Sequence, residues 1–167
     1  PRMDGFGLCR AIKTDVNYSH IPVVLLTART NIQSKIEGMD IGADAYIEKP
    51  FSTDYLLAVA ANLISNREKL RETFTRHPLV VSNTIAATQT DREFLGRLQK
   101  IVHDNLHKQD LKMEDIAGEM NMSRASFYRK IKGVLDLSPN DYLRLERLKV
   151  AAQLIKSRKY QINEICY

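Results

Sequence analysis

Two short amphipathic segments joined by only a tight turn, Met113 to Met120 and Ser123 to Lys132, restrict the possible folds of this chain more than any other stretch. Glu114 and Asp115 open the first, where the positive end of a helix dipole favours carboxylates. Ile116, Ala117 and Met120 then fall on one side of it. Asn121 suits the left-handed conformation a tight turn needs, and Ser123 is placed to cap the next helix by accepting from its free N–H groups. In that second helix Phe127 and Ile131, four residues apart, are expected to face a core, with Arg124, Ala125, Tyr128 and Arg129 turned outward. The pattern is that of a helix-turn-helix whose outer face suits a major groove.

Charge supports a polyanionic partner. The net charge is +5 over 167 residues, but residues 121–160 hold ten basic and three acidic side chains, against ten and nine in residues 1–78. Such a density on one small module is the footprint expected for DNA phosphates, although a solvated helical face also accounts for part of it. With 44% hydrophobic and 27% charged residues the chain reads as globular. Its apolar stretches, such as Ile21 to Leu26, which contains Pro22, are far too short to span a membrane. No stretch has the pattern of a signal peptide, so the expected location is cytoplasmic, without membrane contact. Cys9 and Cys166 read as reduced, buried thiols.

The first 72 residues alternate helix and strand. Gly5 to Thr14 is helical in pattern, Ile21 to Thr27 is a β-branched apolar run, and Thr30 to Asp40 is amphipathic with Thr30 and Gln33 spaced as a capping box. Ala45 to Glu48 is a second short strand. A helix from Asp54 to about Glu72 carries Leu56, Leu57, Val59, Ala60, Leu63 and Ile64 on one side. Strands without polar alternation predict a parallel sheet flanked by helices. Residues 73–90, with Pro78 and a possible extended segment Leu79 to Val81, read as a linker. Beyond it, Thr90 and Glu93 form a capping box ahead of Phe94, Leu95, Leu98, Ile101, Val102 and Leu106 at helical spacing. His103 and His107 on that helix lack a third ligand nearby in sequence and read as solvent-facing rather than metal-binding.

PRMDG at residues 1–5, VVLLTA at 23–28, GADAYIEKPF at 42–51 and the helix that follows resemble the second half of a CheY-like response-regulator receiver domain. The resemblance implies a phosphate-sensing switch of Thr27, Tyr46, Lys49 and Pro50, in which a hydroxyl and an ammonium bond phosphoryl oxygens. It places the phosphoacceptor aspartate four residues before Pro1 and leaves out the acidic pair that holds magnesium in an intact receiver. The chain is therefore expected to be a fragment, without a cofactor of its own, that does not take phosphate from a small phosphodonor. Asp4 matches the family's trailing aspartate rather than the acceptor.

From about residue 91 to the end, on the stretch IAGEMNMSRASFYRKIKGVLDLSPNDYLRLERLKVAAQLI, the chain resembles an AraC-type DNA-binding domain. In that family a long helix joins two helix-turn-helix units. Ser138, Pro139 and Asp141 match the start of that joining helix, Tyr142, Leu145, Leu148, Ala152 and Ile155 its buried stripe, and Ile162 to Tyr167 the opening of the second unit. The resemblance implies base contacts from Ala125, Tyr128 and Arg129, with Arg129 able to fork onto guanine. It implies phosphate contacts from Ser123, Arg124, Lys130 and Lys132. Tyr128 departs from the polar amide common at its position and also reads as an aromatic packed on the domain surface.

The expected fold is a partial doubly wound α/β receiver followed by an all-α helix-turn-helix domain. The expected function is a phosphorelay transcription regulator that binds double-stranded DNA, answers to an upstream histidine kinase and pairs as a homodimer through residues 30–66. The full-length protein is expected to be a hybrid two-component regulator that can be membrane-anchored. The alternative is a protein-interaction module whose basic face binds an acidic partner. No catalytic set is legible, so an enzyme is not expected.

Overall fold

The computed structural model describes residues 3–28, 31–76, 88–159 and 161. Helix α1, Gly5–Thr14, is capped by Asp4, whose carboxylate accepts from the Gly7 N–H at 2.8 Å. Strand β1, Val24–Thr27, lies parallel to β2, Ala45–Glu48, with Leu25 opposite Tyr46 and Thr27 opposite Glu48. Between them runs α2, Ile32–Asp40. Its cap is Asn31, which accepts from Ser34 N–H, and not the expected Thr30, which lies outside the described residues. A short amide side chain holds the extended cap conformation as well as threonine does, and the helix begins one residue later.

Asp44 fastens the base of this sheet. It accepts from the Lys13 ammonium, the Val23 N–H at 2.8 Å and the Arg67 guanidinium at 3.0 Å, so α1, β1 and the following helix meet on one carboxylate. Burial pushes its pKa up, but the Lys13 bond, the Val23 amide and Arg67 outweigh this and hold it below the usual carboxylate range. Cys9 is buried beside it, its thiol pushed up chiefly by burial; Cys166 lies outside the described residues.

Helix α3, Thr53–Arg76, runs four residues into the expected linker. The run REKLRE at residues 67–72 is made of strong helix formers, with no Pro or Gly before Pro78. The apolar side expected for this helix is only partly covered: Leu56, Val59, Ala60 and Leu63 are half-buried, whereas Leu57 and Ile64, seven residues apart, are exposed. Residues 77–87, including Pro78 and the expected segment Leu79 to Val81, lie outside the described residues.

The second module is helical: α4, Gln89–Asn105; α5, Met113–Glu119; α6, Arg124–Leu135; and α7, Pro139–Ser157. Thr88 caps α4 by accepting from Asp91 N–H, displacing the expected Thr90 box; the Thr90 hydroxyl donates instead to the Lys13 carbonyl at 2.9 Å. Phe94, Leu95, Leu98, Val102, Met113, Ile116, Phe127, Ile131, Leu135 and Tyr142 form the core. Ser138 and Pro139 start α7 as the sequence predicts. Its stripe is buried only at the beginning, because α7 outruns the helices packed on it: Tyr142 is fully buried, but Leu148, Ala152 and Ile155 are exposed. The expected second unit at Ile162 to Tyr167 lies outside the described residues. Among the described residues no helix is long and apolar enough to cross a membrane.

Candidate nucleic-acid interface and switch residues

Helices α5 and α6 build a projecting basic face. Asn121, at φ 57°, makes the left-handed turn between them, and the Ser123 hydroxyl accepts from Ser126 N–H at 3.2 Å to start α6. Phe127, fully buried, anchors α6 through edge-to-face contact with Phe94 at 6.5 Å between centroids. With that side fixed, Arg124, Ala125, Arg129 and Lys132 are exposed and Tyr128 is half-buried.

Several of these side chains are already engaged. Arg124 pairs with Glu114 at 3.1 Å and lies 5.3 Å from the centroid of the Tyr128 ring, while the Tyr128 hydroxyl reaches Glu114 at 3.4 Å. Lys132 pairs with Asp136 at 2.9 Å. Exposed pairs of this kind contribute about 0–1 kcal/mol, so a phosphate can displace the carboxylate from Arg124 or Lys132 at little cost. The sequence marked Glu114 only as a first-turn carboxylate of α5; its contacts with Arg124 and Tyr128 on α6 come from packing.

Lys130 corrects the expected phosphate contacts. Its side chain is fully buried, salt-bridged to Asp91 and bonded to Ser19 Oγ at 2.7 Å, with the Phe94 ring centroid at 5.6 Å. The reason is helical phase: Lys130 is three residues from Phe127 and four from Val134, on the core side of α6. Burial pulls the Lys130 pKa down, and the Asp91 carboxylate opposes it. Burial likewise pushes Asp91 up, but the Lys130 bond and charge, with Ser19 and Thr88, hold its carboxyl below the usual range. The partners of Lys130, Ser19 and Asp91, are distant in sequence, and no local signal pointed to either.

Of the four residues expected to form a switch, Thr27, Lys49 and Pro50 lie at the carboxyl ends of the paired strands, and Tyr46 lies further back on β2, opposite Leu25. Thr27 ends β1 half-buried, and its carbonyl accepts from Lys49 N–H at 2.8 Å. Lys49 and Pro50 are exposed, and the peptide between them is cis. Tyr46 is half-buried, its ring edge-on to Phe6 at 6.4 Å and packed against Gly38, where a Cβ would come within 3.0 Å of it. A shallow groove lined by Lys35, Met39, Tyr46, Phe51 and Tyr55 lies on the same side, with Met39 70% exposed and Tyr55 54% exposed.

Asp4 is spent on capping α1, and among the described residues no three His, Cys, Asp or Glu side chains come together. His103 and His107 are both exposed.

Residues 1–61 match the family model of the response regulator receiver domain. Over its whole length the chain is 36% identical to Histidine kinase P4 of Formosa agariphila, of which it spans 12%. It is 31% identical over 62% of its length to the DNA-binding dual master transcriptional regulator RpaA of Synechocystis, of which the match covers 44%. It is 30% identical over 74% of its length to the probable transcriptional regulator ycf29 of Cyanophora paradoxa, of which 58% is covered. The chain thus spans less than two thirds of each of these relatives. No solved structure matches it. The first module is receiver-domain sequence with parallel strands and flanking helices, followed by a mostly helical part, and its relatives include named transcriptional regulators.

Proposed function

We propose that this chain is the output arm of a two-component phosphorelay, in which the receiver module governs an AraC-type helix-turn-helix that binds double-stranded DNA sequence-specifically. The observation that carries this reading is the outer face of α6. A capped helix anchored by Phe127 presents Arg124, Ala125, Arg129 and Lys132 to solvent with a single half-buried aromatic, Tyr128, among them. Arg129 reads a base edge, Ala125 packs on a thymine methyl, and Ser123, Arg124 and Lys132 hold phosphates. An upstream histidine kinase supplies the signal to an intact receiver. Two copies pair through the groove of α2, β2 and α3, where Ile32, Met39 and Tyr55 expose apolar surface, and present two recognition helices to repeated half-sites.

The test is selection of random duplex DNA by the chain beside Arg129→Ala, with affinity measured at several salt concentrations. The expected result is a motif of a few base pairs, relaxed by Arg129→Ala at a cost of about 1–3 kcal/mol, with affinity falling steeply in salt. Unselective binding by both proteins, with no salt slope, would instead favour the basic face as a site for an acidic protein.

A further inference from the structure

We propose that the 15–20 loop after α1 and the back of the recognition helix α6 form a docking joint, keyed by His20 on Gly133, that fixes the orientation of the DNA-facing surface relative to the receiver module. The docked geometry stands on its own; its consequence for DNA rests on the function proposed above.

The loop is a preformed knob. Asp15 accepts from the backbone and side chain of Asn17, its carbonyl accepts from Ser19 N–H at 2.8 Å, and Ile21 N–H closes on Tyr18. From this knob Val16 packs on the helical core, and Ser19 is fully buried. The Ser19 hydroxyl donates to Asp91 Oδ1 at 2.8 Å and accepts from Lys130 at 2.7 Å, joining the loop to α4 and α6 through one buried polar cluster. Burying an ion pair is costly, and its best-attested use is to specify a single way of seating two surfaces. Beside it, the His20 imidazole lies directly on the α6 backbone at Gly133, where any Cβ would overlap the ring. Two more bonds brace the joint: Thr90 to the Lys13 carbonyl, and Arg71 of α3 to the Gly133 carbonyl.

Lys130 meets the joint from the core side of α6 and Gly133 from its flank, four residues beyond Arg129, while the surface of Arg124, Ala125, Arg129 and Lys132 stays exposed with the joint seated. What docking sets is the angle between that surface and the groove of α2, β2 and α3. In a pair of chains that angle selects the spacing of half-sites. His20 senses the joint: its Nδ1 is buried without a hydrogen-bond partner among the described residues. Its pKa is lowered to about 4 by burial first and by Lys130 of α6 and Arg67 and Arg71 of α3, against Asp91 of α4.

Gly133→Ala in the full chain is the sharp test, because alanine suits a helix better than glycine and obstructs only the His20 seat. Expected are a broadened distance distribution between spin labels on α2 and α7, and about tenfold weaker amide protection at Ser19 and His20 with α6 unchanged. The His20 titration should move from about 4 toward the ordinary 6.5. His20→Ala added to Gly133→Ala should restore the narrow distance. Val16→Asp attacks the same contact from the loop, so it should loosen the joint even if Gly133→Ala disturbs folding. Unchanged distances and protection in both single variants, or no rescue by His20→Ala, would overturn the joint. On DNA, the wild-type chain should prefer one half-site spacing and Gly133→Ala should tolerate several. Loss of all selective DNA binding would sink the functional reading while the distance and titration results still decide the joint.

Discussion

Asp91→Ala strands the Lys130 ammonium. In the native arrangement that group is fully buried and its counter-charge is the Asp91 carboxylate, itself 2% exposed; after substitution it keeps the Ser19 hydroxyl at 2.7 Å and the Phe94 ring. Removing one partner of a buried ion pair costs about 3–5 kcal/mol. The lysine has one escape, to give up its proton, and from an ordinary pKa of 10.5 that costs about 5 kcal/mol at pH 7, which caps the penalty. The expected loss is therefore about 3–5 kcal/mol, or a fall in Tm of roughly 10 °C for a chain of this size. Adding Lys130→Met removes the stranded charge and should return most of the loss, since an apolar replacement of a buried pair is close to neutral. Urea unfolding followed by far-ultraviolet circular dichroism measures all three variants. The Asp91→Ala penalty should also shrink as pH rises toward 10, where deprotonating Lys130 becomes cheap. A loss under about 1 kcal/mol, or a double variant no better than the single one, would refute a dry ion pair behind the recognition helix.

Other outcomes follow from the same packing. His20 has its pKa lowered to about 4 from an ordinary 6.5, so its contribution to stability is complete above pH 6.5 and is lost as pH falls toward 4. Discounted for residual solvent screening, the acid-side loss is about 1–2 kcal/mol, seen as the difference between the pH–stability curves of wild type and His20→Ala. Phe127→Ala should cost about 3–5 kcal/mol by chemical denaturation, because the ring is fully buried between Phe94 and Tyr128. Ser123→Ala removes the α6 cap and should cost about 1 kcal/mol, with faster amide exchange confined to the first turn of that helix.

Local sequence chemistry determined most of the elements. Asn121, Ser123, Ser138 and Pro139 mark helix ends through the conformations and bonds their own side chains favour, and all act where the sequence placed them. Phe127 and Ile131 were readable as core from helical spacing, and β1 was readable from its β-branched apolar run. Choices between neighbouring caps were not local: Thr90 has cap chemistry, but the Lys13 carbonyl claims its hydroxyl, and Thr88 takes the cap. Lys130 is the clearest case. Its charge suggested phosphate, and only the meeting of α4, α6 and the 15–20 loop turned it into the buried partner of Asp91 and Ser19. Residue type and spacing set which face of a helix a side chain occupies; which distant segment covers that face is decided by packing, because the partners are 39 and 111 residues away and leave no pattern near Lys130.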